Sequence, residues 1–90
     1  MAFTIKNHNQ RISHRLKIAR GHLEKVIKMV EEGEYCIDVL LQSKAVQNAL
    51  RETDILMMEN HLQTCASDAI KKGESERAIN EVMAVLRKSN

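Results

Sequence analysis

Ninety residues, 43% hydrophobic but only 2% aromatic, with three glycines and no proline, leave room for one small domain of helices around an aliphatic core. The formal charge of +2 hides a division: residues 1–30 carry seven Lys and Arg against Glu24 alone, and residues 31–90 carry seven against eleven acids, so the basic part suits an anionic partner such as duplex DNA. No apolar run approaches the roughly 20 residues of a membrane span, and MAFTIKNHNQ lacks the apolar core of a secretory signal, so a cytoplasmic protein is expected.

The first predicted helix carries Ile12, Leu16, Ala19, Leu23, Val26 and Val30 at alternating steps of four and three, a heptad stripe with Arg11, Arg15, Lys17 and Arg20 outside it. Asn7 or Asn9 is placed to cap its start and Gly33 to end it. Gly21, inside, costs about 1 kcal/mol relative to Ala and reads as a close helix contact. His8 and His14 read as solvated residues of a basic helix.

A second helix begins near Glu34 and meets no breaker before Gly73. Its apolar positions form two stripes, one through Leu40, Val46, Leu50 and Met57, the other through Ile37, Leu41, Ala45, Ala49 and Leu56. One stripe suffices for an antiparallel hairpin with the first helix, and the other is left for a second subunit. Beyond Gly73, Ser75 is placed to cap a short third helix whose apolar face is Ala78, Ile79, Val82, Met83, Val85 and Leu86. The expectation is an all-α chain of three helices, one domain over residues 1–90, without repeat or linker.

Three residues carry the chemistry. His61 and Cys65 stand four apart and share a helix face. Cys36, at the other end of the same predicted helix, lies 25 residues before His61, about 38 Å away at 1.5 Å per residue. One chain cannot close a site along that helix. Two antiparallel copies can, because position 36 of one then faces 65, or one turn away 61, of the other, giving two equivalent sites in a two-fold homodimer. A Cys2His set is soft, which favours Cu(I); Zn(II) and Ni(II) are alternatives that call for a further ligand. Against this stands the ordinary reading of a helical cysteine as a small buried hydrophobe. Nothing resembles enzyme machinery: there is no Gly-rich phosphate loop and no nucleophile with a visible base.

These residues resemble the copper-sensing operon repressors, the CsoR-type family of bacterial metal-responsive regulators. The likeness spans nearly the whole chain and rests on HRLK at 14–17 with Gly21, on EEGEYCIDVLLQSKAVQNAL at 31–50, on NHLQTC at 60–65 and on Glu81. It implies an antiparallel helical-bundle dimer that pairs into a tetramer, binds operator DNA without metal and lets go when Cu(I) binds Cys36 of one protomer with His61 and Cys65 of the other. Tyr35 and Glu81 match positions that support the ligands, and Arg15 and Arg51 match DNA-contacting positions; Lys17 and Arg20 join them as basic residues of the same helix.

The first helix departs from the family pattern, with Ile18 where a base is usual, Glu24 where Arg is usual and Arg20 where an acid is usual. This motivates a different reading, a cytosolic copper-binding protein without DNA function. Persulfide-sensing members use the two cysteines and generally lack the histidine, so His61 speaks for metal. Nickel and cobalt sensors add an N-terminal histidine where this chain has Thr4, and formaldehyde sensors an N-terminal Pro where it has Ala2.

Overall fold

The structure, a computed structural model, describes residues 5–88; Ala2 and Thr4 lie outside them. Its elements are α1 (Ile5–Glu31), α2 (Cys36–His61), a π-helical turn (Leu62–Ala66), α3 (Ser67–Lys71) and α4 (Ser75–Arg87). Helical backbone runs unbroken from Cys36 to Lys71, so the chain amounts to three helices, as expected. Backbone contacts divide it into two units, Met1–Met57 and Met58–Asn90.

The first unit is the hairpin of α1 with residues 36–57 of α2. On α1, His8, Ile12, Ala19, Val26 and Met29 are buried and His22 is half-buried; on α2, Val46 and Thr53 are buried and Val39, Gln42, Ala49 and Leu56 half-buried. Both sets step by threes and fours, with a single step of seven on α1, the phase of a two-helix seam. His22 Nε2 donates to Gln42 Oε1 at 2.7 Å, tying the helices across the antiparallel pair. The reversal between them is set by Gly33 at φ 69°: its N–H donates to Val30 O at 3.0 Å and that of Glu34 to Met29 O at 3.0 Å, a Schellman stop that satisfies two carbonyls at the end of α1.

The inner stripe of α1 is one residue out of phase with the most apolar one: Leu16, Leu23 and Val30 are exposed, while His8, only 4% exposed, lies inside rather than in solvent. The inner stripe of α2 takes Val46 from one expected stripe and Ala49 and Leu56 from the other, and leaves Ile37, Leu40, Leu41 and Leu50 outside. Asn7 and Asn9 lie within α1, which begins at Ile5, so neither occupies its N-cap. A Cβ on Gly21 would meet nothing within 4 Å, so no close contact within the chain explains it.

In the second unit Ala66, Ala69 and Ala78 form a small core that lets the π turn, α3 and α4 approach closely. Gly73, at φ 80°, repeats the Schellman stop, with Gly73 N–H donating to Ile70 O at 3.1 Å and Glu74 N–H to Ala69 O at 2.8 Å. Ser75 is the first residue of α4 rather than its cap; Glu74 holds the cap position without a side-chain cap bond. Its carboxylate accepts from Arg77 instead, and Arg77 also reaches Glu81 at 3.3 Å. Among the described residues no helix is long and apolar enough to cross a membrane.

Candidate metal centre

Cys36 is the first residue of α2. Tyr35 O accepts the first helical bond, from Val39 N–H at 3.1 Å, so the turn that follows Gly33 delivers the thiol at the helix start. His61 is the last residue of α2 and Cys65 sits in the π turn that follows. Both cysteines are free and exposed, and His61 is half-buried. Among the described residues no three His, Cys, Asp or Glu side chains gather where one ion could bind them. The donor set itself, two thiols and one imidazole, fits a soft monovalent ion such as Cu(I).

The π turn at Leu62–Ala66 departs from the continuous α-helix that the sequence predicts. His61 and Cys65 were expected on one α-helical face, where four residues pass a full turn by about 40°; an i→i+5 turn is wider, so the same four residues fall short of a full turn. The two side chains still lie about one turn apart, on altered bearings. Thr64, between them, donates its hydroxyl to Asn60 O at 2.8 Å and stands 3.7 Å from Cys65 Sγ. Its place directly before the cysteine was the only signal the sequence offered.

The two supporting candidates differ in state. Tyr35 is 67% exposed. Glu81 is engaged on α4 by Arg77, whose guanidinium is held above its ordinary pKa by the hydrogen bond and charge of Glu74 and then by the charge of Glu81.

The basic candidates Arg15, Lys17 and Arg20 of α1 and Arg51 of α2 are all exposed, and among the described residues no carboxylate pairs with them. They do not form one patch on α1. Lys17 and Arg20 line a shallow depression with Asn9, Ile12, Ser13 and Leu16. Arg15 stands about 140° round the helix from Arg20, given 3.6 residues per turn. Among the residues whose burial is described, it holds the one position of the inner heptad phase that stays exposed. His14 is exposed, as expected.

Comparison with known proteins bears on this arrangement. The model of a family described as metal-sensitive transcriptional repressors matches residues 8–88. The copper-sensing transcriptional repressor CsoR of Mycobacterium ulcerans (strain Agy99) is 43% identical over 74 residues, 82% of this chain and 63% of that protein. The protein of the same name from Bacillus subtilis (strain 168) is 40% identical over 77 residues, 86% of this chain and 76% of its own length. The chain thus spans somewhat under two thirds of the mycobacterial relative. The crystal structure of the copper-sensing repressor CsoR with Cu(I) from Geobacillus thermodenitrificans NG80-2 matches with a TM-score of 0.89 at 38% identity, covering 98% of this chain and 92% of that one.

Proposed function

Because the chain belongs to the metal-sensitive transcriptional repressors, regulators rather than enzymes, we propose that it is a Cu(I)-responsive repressor whose metal site lies between subunits. Cys36 of one protomer joins His61 and Cys65 of another. The observation that carries this reading is the placement of the donors: Cys36 opens α2, His61 closes it and Cys65 follows one turn later. Among the described residues no three candidate ligands gather, and in this reading a second copy completes the set. The Cu(I)-bound relative of known structure, with its high fold similarity, supports the choice of metal.

Two thiolates and an imidazole give a Cu(I) ion the trigonal environment it accepts, whereas Zn(II) or Ni(II) would call for more ligands. The residues of the chain do the rest. Cys36 and Cys65 supply sulfur, His61 supplies nitrogen, and Tyr35 and Glu81 orient them. Arg15, Lys17, Arg20 and Arg51 meet the phosphates of operator DNA, which gives affinity and register more than base choice. Metal and DNA favour different arrangements of the same oligomer, a homodimer or homotetramer in the cytoplasm. Each therefore weakens the other by one common factor. The whole chain acts as a single metal-sensing, DNA-binding domain.

The test is an anaerobic gel shift on the protein's own promoter with and without Cu(I). Cys36→Ala and Cys65→Ala are expected to bind DNA like the unaltered chain and to stay bound at copper concentrations that release it. Release of either variant at the original copper concentration would remove that cysteine from the ligand set. The exposure of both free thiols also suits a persulfide sensor. In that case His61→Ala would leave the response intact and sulfane sulfur would crosslink Cys36 to Cys65. A copper-binding protein without DNA function would fail the gel shift altogether.

A further inference from the structure

The five residues Leu62–Ala66 leave the α-helix for a π turn at the point where one candidate ligand has just been placed and the next is about to be. Such turns make up well under 1% of residues in globular proteins and concentrate at functional sites. A physical cause is present in the side chains. Thr64 Oγ1 donates to Asn60 O, four residues back, at 2.8 Å; such back-bonding gives a helix carbonyl a second partner and loosens the helix around it, and because the same bond from Thr53 to Ala49 O leaves α2 regular, at Thr64 it acts together with the packing of Ala66. On the other side of Cys65, Ala66 is 5% exposed and belongs to the small core with Ala69 and Ala78. Cys65 is therefore held between a neighbour tied to the preceding turn and a neighbour packed into the core, while it remains exposed itself. The Thr64 hydroxyl lies 3.7 Å from Cys65 Sγ, within reach of a sulfur hydrogen bond.

We infer that Thr64 is a positioning residue for Cys65: its hydroxyl stabilises the π turn and sets the bearing of the sulfur relative to His61. The inference rests on the metal-site reading above, since it concerns how one of those ligands is presented. The hydroxyl need not touch the ion to act. Without its bond to Asn60 O, residues 62–66 are free to return to α-helical pairing, which rotates Cys65 with respect to His61 by tens of degrees. Two donors pre-set for one ion become two donors that must be reoriented to bind it.

The experiment compares the unaltered chain with Thr64→Val, which keeps the shape and deletes the hydroxyl, and Thr64→Ser, which restores it. In the metal-free proteins, hydrogen exchange is measured for the amides of residues 62–67. In parallel, Cu(I) affinity is measured anaerobically by competition with bicinchoninate, and the ligand set is read by X-ray absorption. Thr64→Val is expected to speed exchange across the turn severalfold, weaken Cu(I) at least tenfold and lose the nitrogen or one sulfur from the Cu(I) environment. Thr64→Ser should return all three toward the original values. If the unaltered chain binds Cu(I) through Cys65 and Thr64→Val binds it equally well with the same ligands, the inference is overturned and the metal site stands. If the unaltered chain binds no Cu(I) through Cys65, the metal site falls and the role of Thr64 with it. A variant that loses helicity by circular dichroism and that Ser does not rescue counts against positioning, because the hydroxyl alone would then not account for the loss.

Discussion

His22 and Gln42 meet at 2.7 Å across a seam whose other members, His8 apart, are small or aliphatic. A half-buried amide that loses its partner keeps its desolvation cost without the bond, which amounts to about 1–2 kcal/mol. Gln42→Leu or His22→Leu is therefore expected to lower stability in urea by that amount. The double variant should cost less than the sum of the two, because two apolar groups then face each other; additivity would mean that the pair is not coupled. This pair was hidden in the sequence for a plain reason. A histidine among lysines and arginines looks solvated, and what decides its burial is the helix opposite, which periodicity does not identify. His8, 4% exposed, was misjudged on the same ground. Thr53, 1% exposed, can lie in the seam because its hydroxyl is satisfied within its own helix, at Ala49 O, 2.9 Å away. Cys36, His61 and Cys65 stand out in the sequence as candidates because their types and spacing are rare, whatever packs around them.

Among the helices, the glycines make opposite predictions. Gly33 and Gly73 take left-handed φ of 69° and 80° at the ends of α1 and α3, where a side chain is strained even though open space surrounds each. Gly33→Ala should lower the thermal midpoint, at a cost of about 1 kcal/mol. Gly21 has no such φ and lies inside α1 with nothing near the place of its Cβ. Gly21→Ala should therefore raise stability by up to about 1 kcal/mol through helix propensity alone. If that variant is stabilised by calorimetry and yet fails to assemble or to bind DNA, the glycine serves a contact with another molecule. Both helix stops could be read in advance because Gly at the end of an apolar period has few other uses. Which of two apolar stripes turns inward could not, since both were long enough to make the hairpin. The π turn was equally hidden: it depends on the Thr64 hydroxyl and the burial of Ala66 together, and neither alone breaks a helical pattern.

For the whole molecule, the excess of positive charge in residues 1–30 translates into a salt dependence. If Arg15 meets a phosphate, Arg15→Ala should weaken binding to operator and unrelated DNA alike and reduce the slope of log K against log salt by about 1. An unchanged slope in a titration between 50 and 200 mM salt, on the order of the range usual for such measurements, would take Arg15 out of the DNA surface.

A site shared between subunits, as proposed, makes a stricter demand, because affinity for metal must then depend on assembly. Ile37, Leu40 and Leu41 on α2 and Leu23 and Ile27 on α1 are large apolar side chains left exposed by the hairpin, more than a lone chain of this size is expected to show to water. Leu41 is 61% exposed and belongs to neither inner stripe, so Leu41→Lys should change the stability of the single chain by no more than about 0.5 kcal/mol. In an interface it would place a charge without a partner in an apolar seam, which is strongly unfavourable. Sedimentation should therefore find the variant shifted toward monomer. Although Cys36, His61 and Cys65 are all retained, its affinity for Cu(I) in competition with a chelator should fall with the fraction of oligomer and recover as protein concentration is raised. A monomeric variant that bound Cu(I) as tightly as the assembled protein, at every concentration, would show that one chain holds the ion unaided, and the antiparallel pairing of α2 with its copy would lose its purpose.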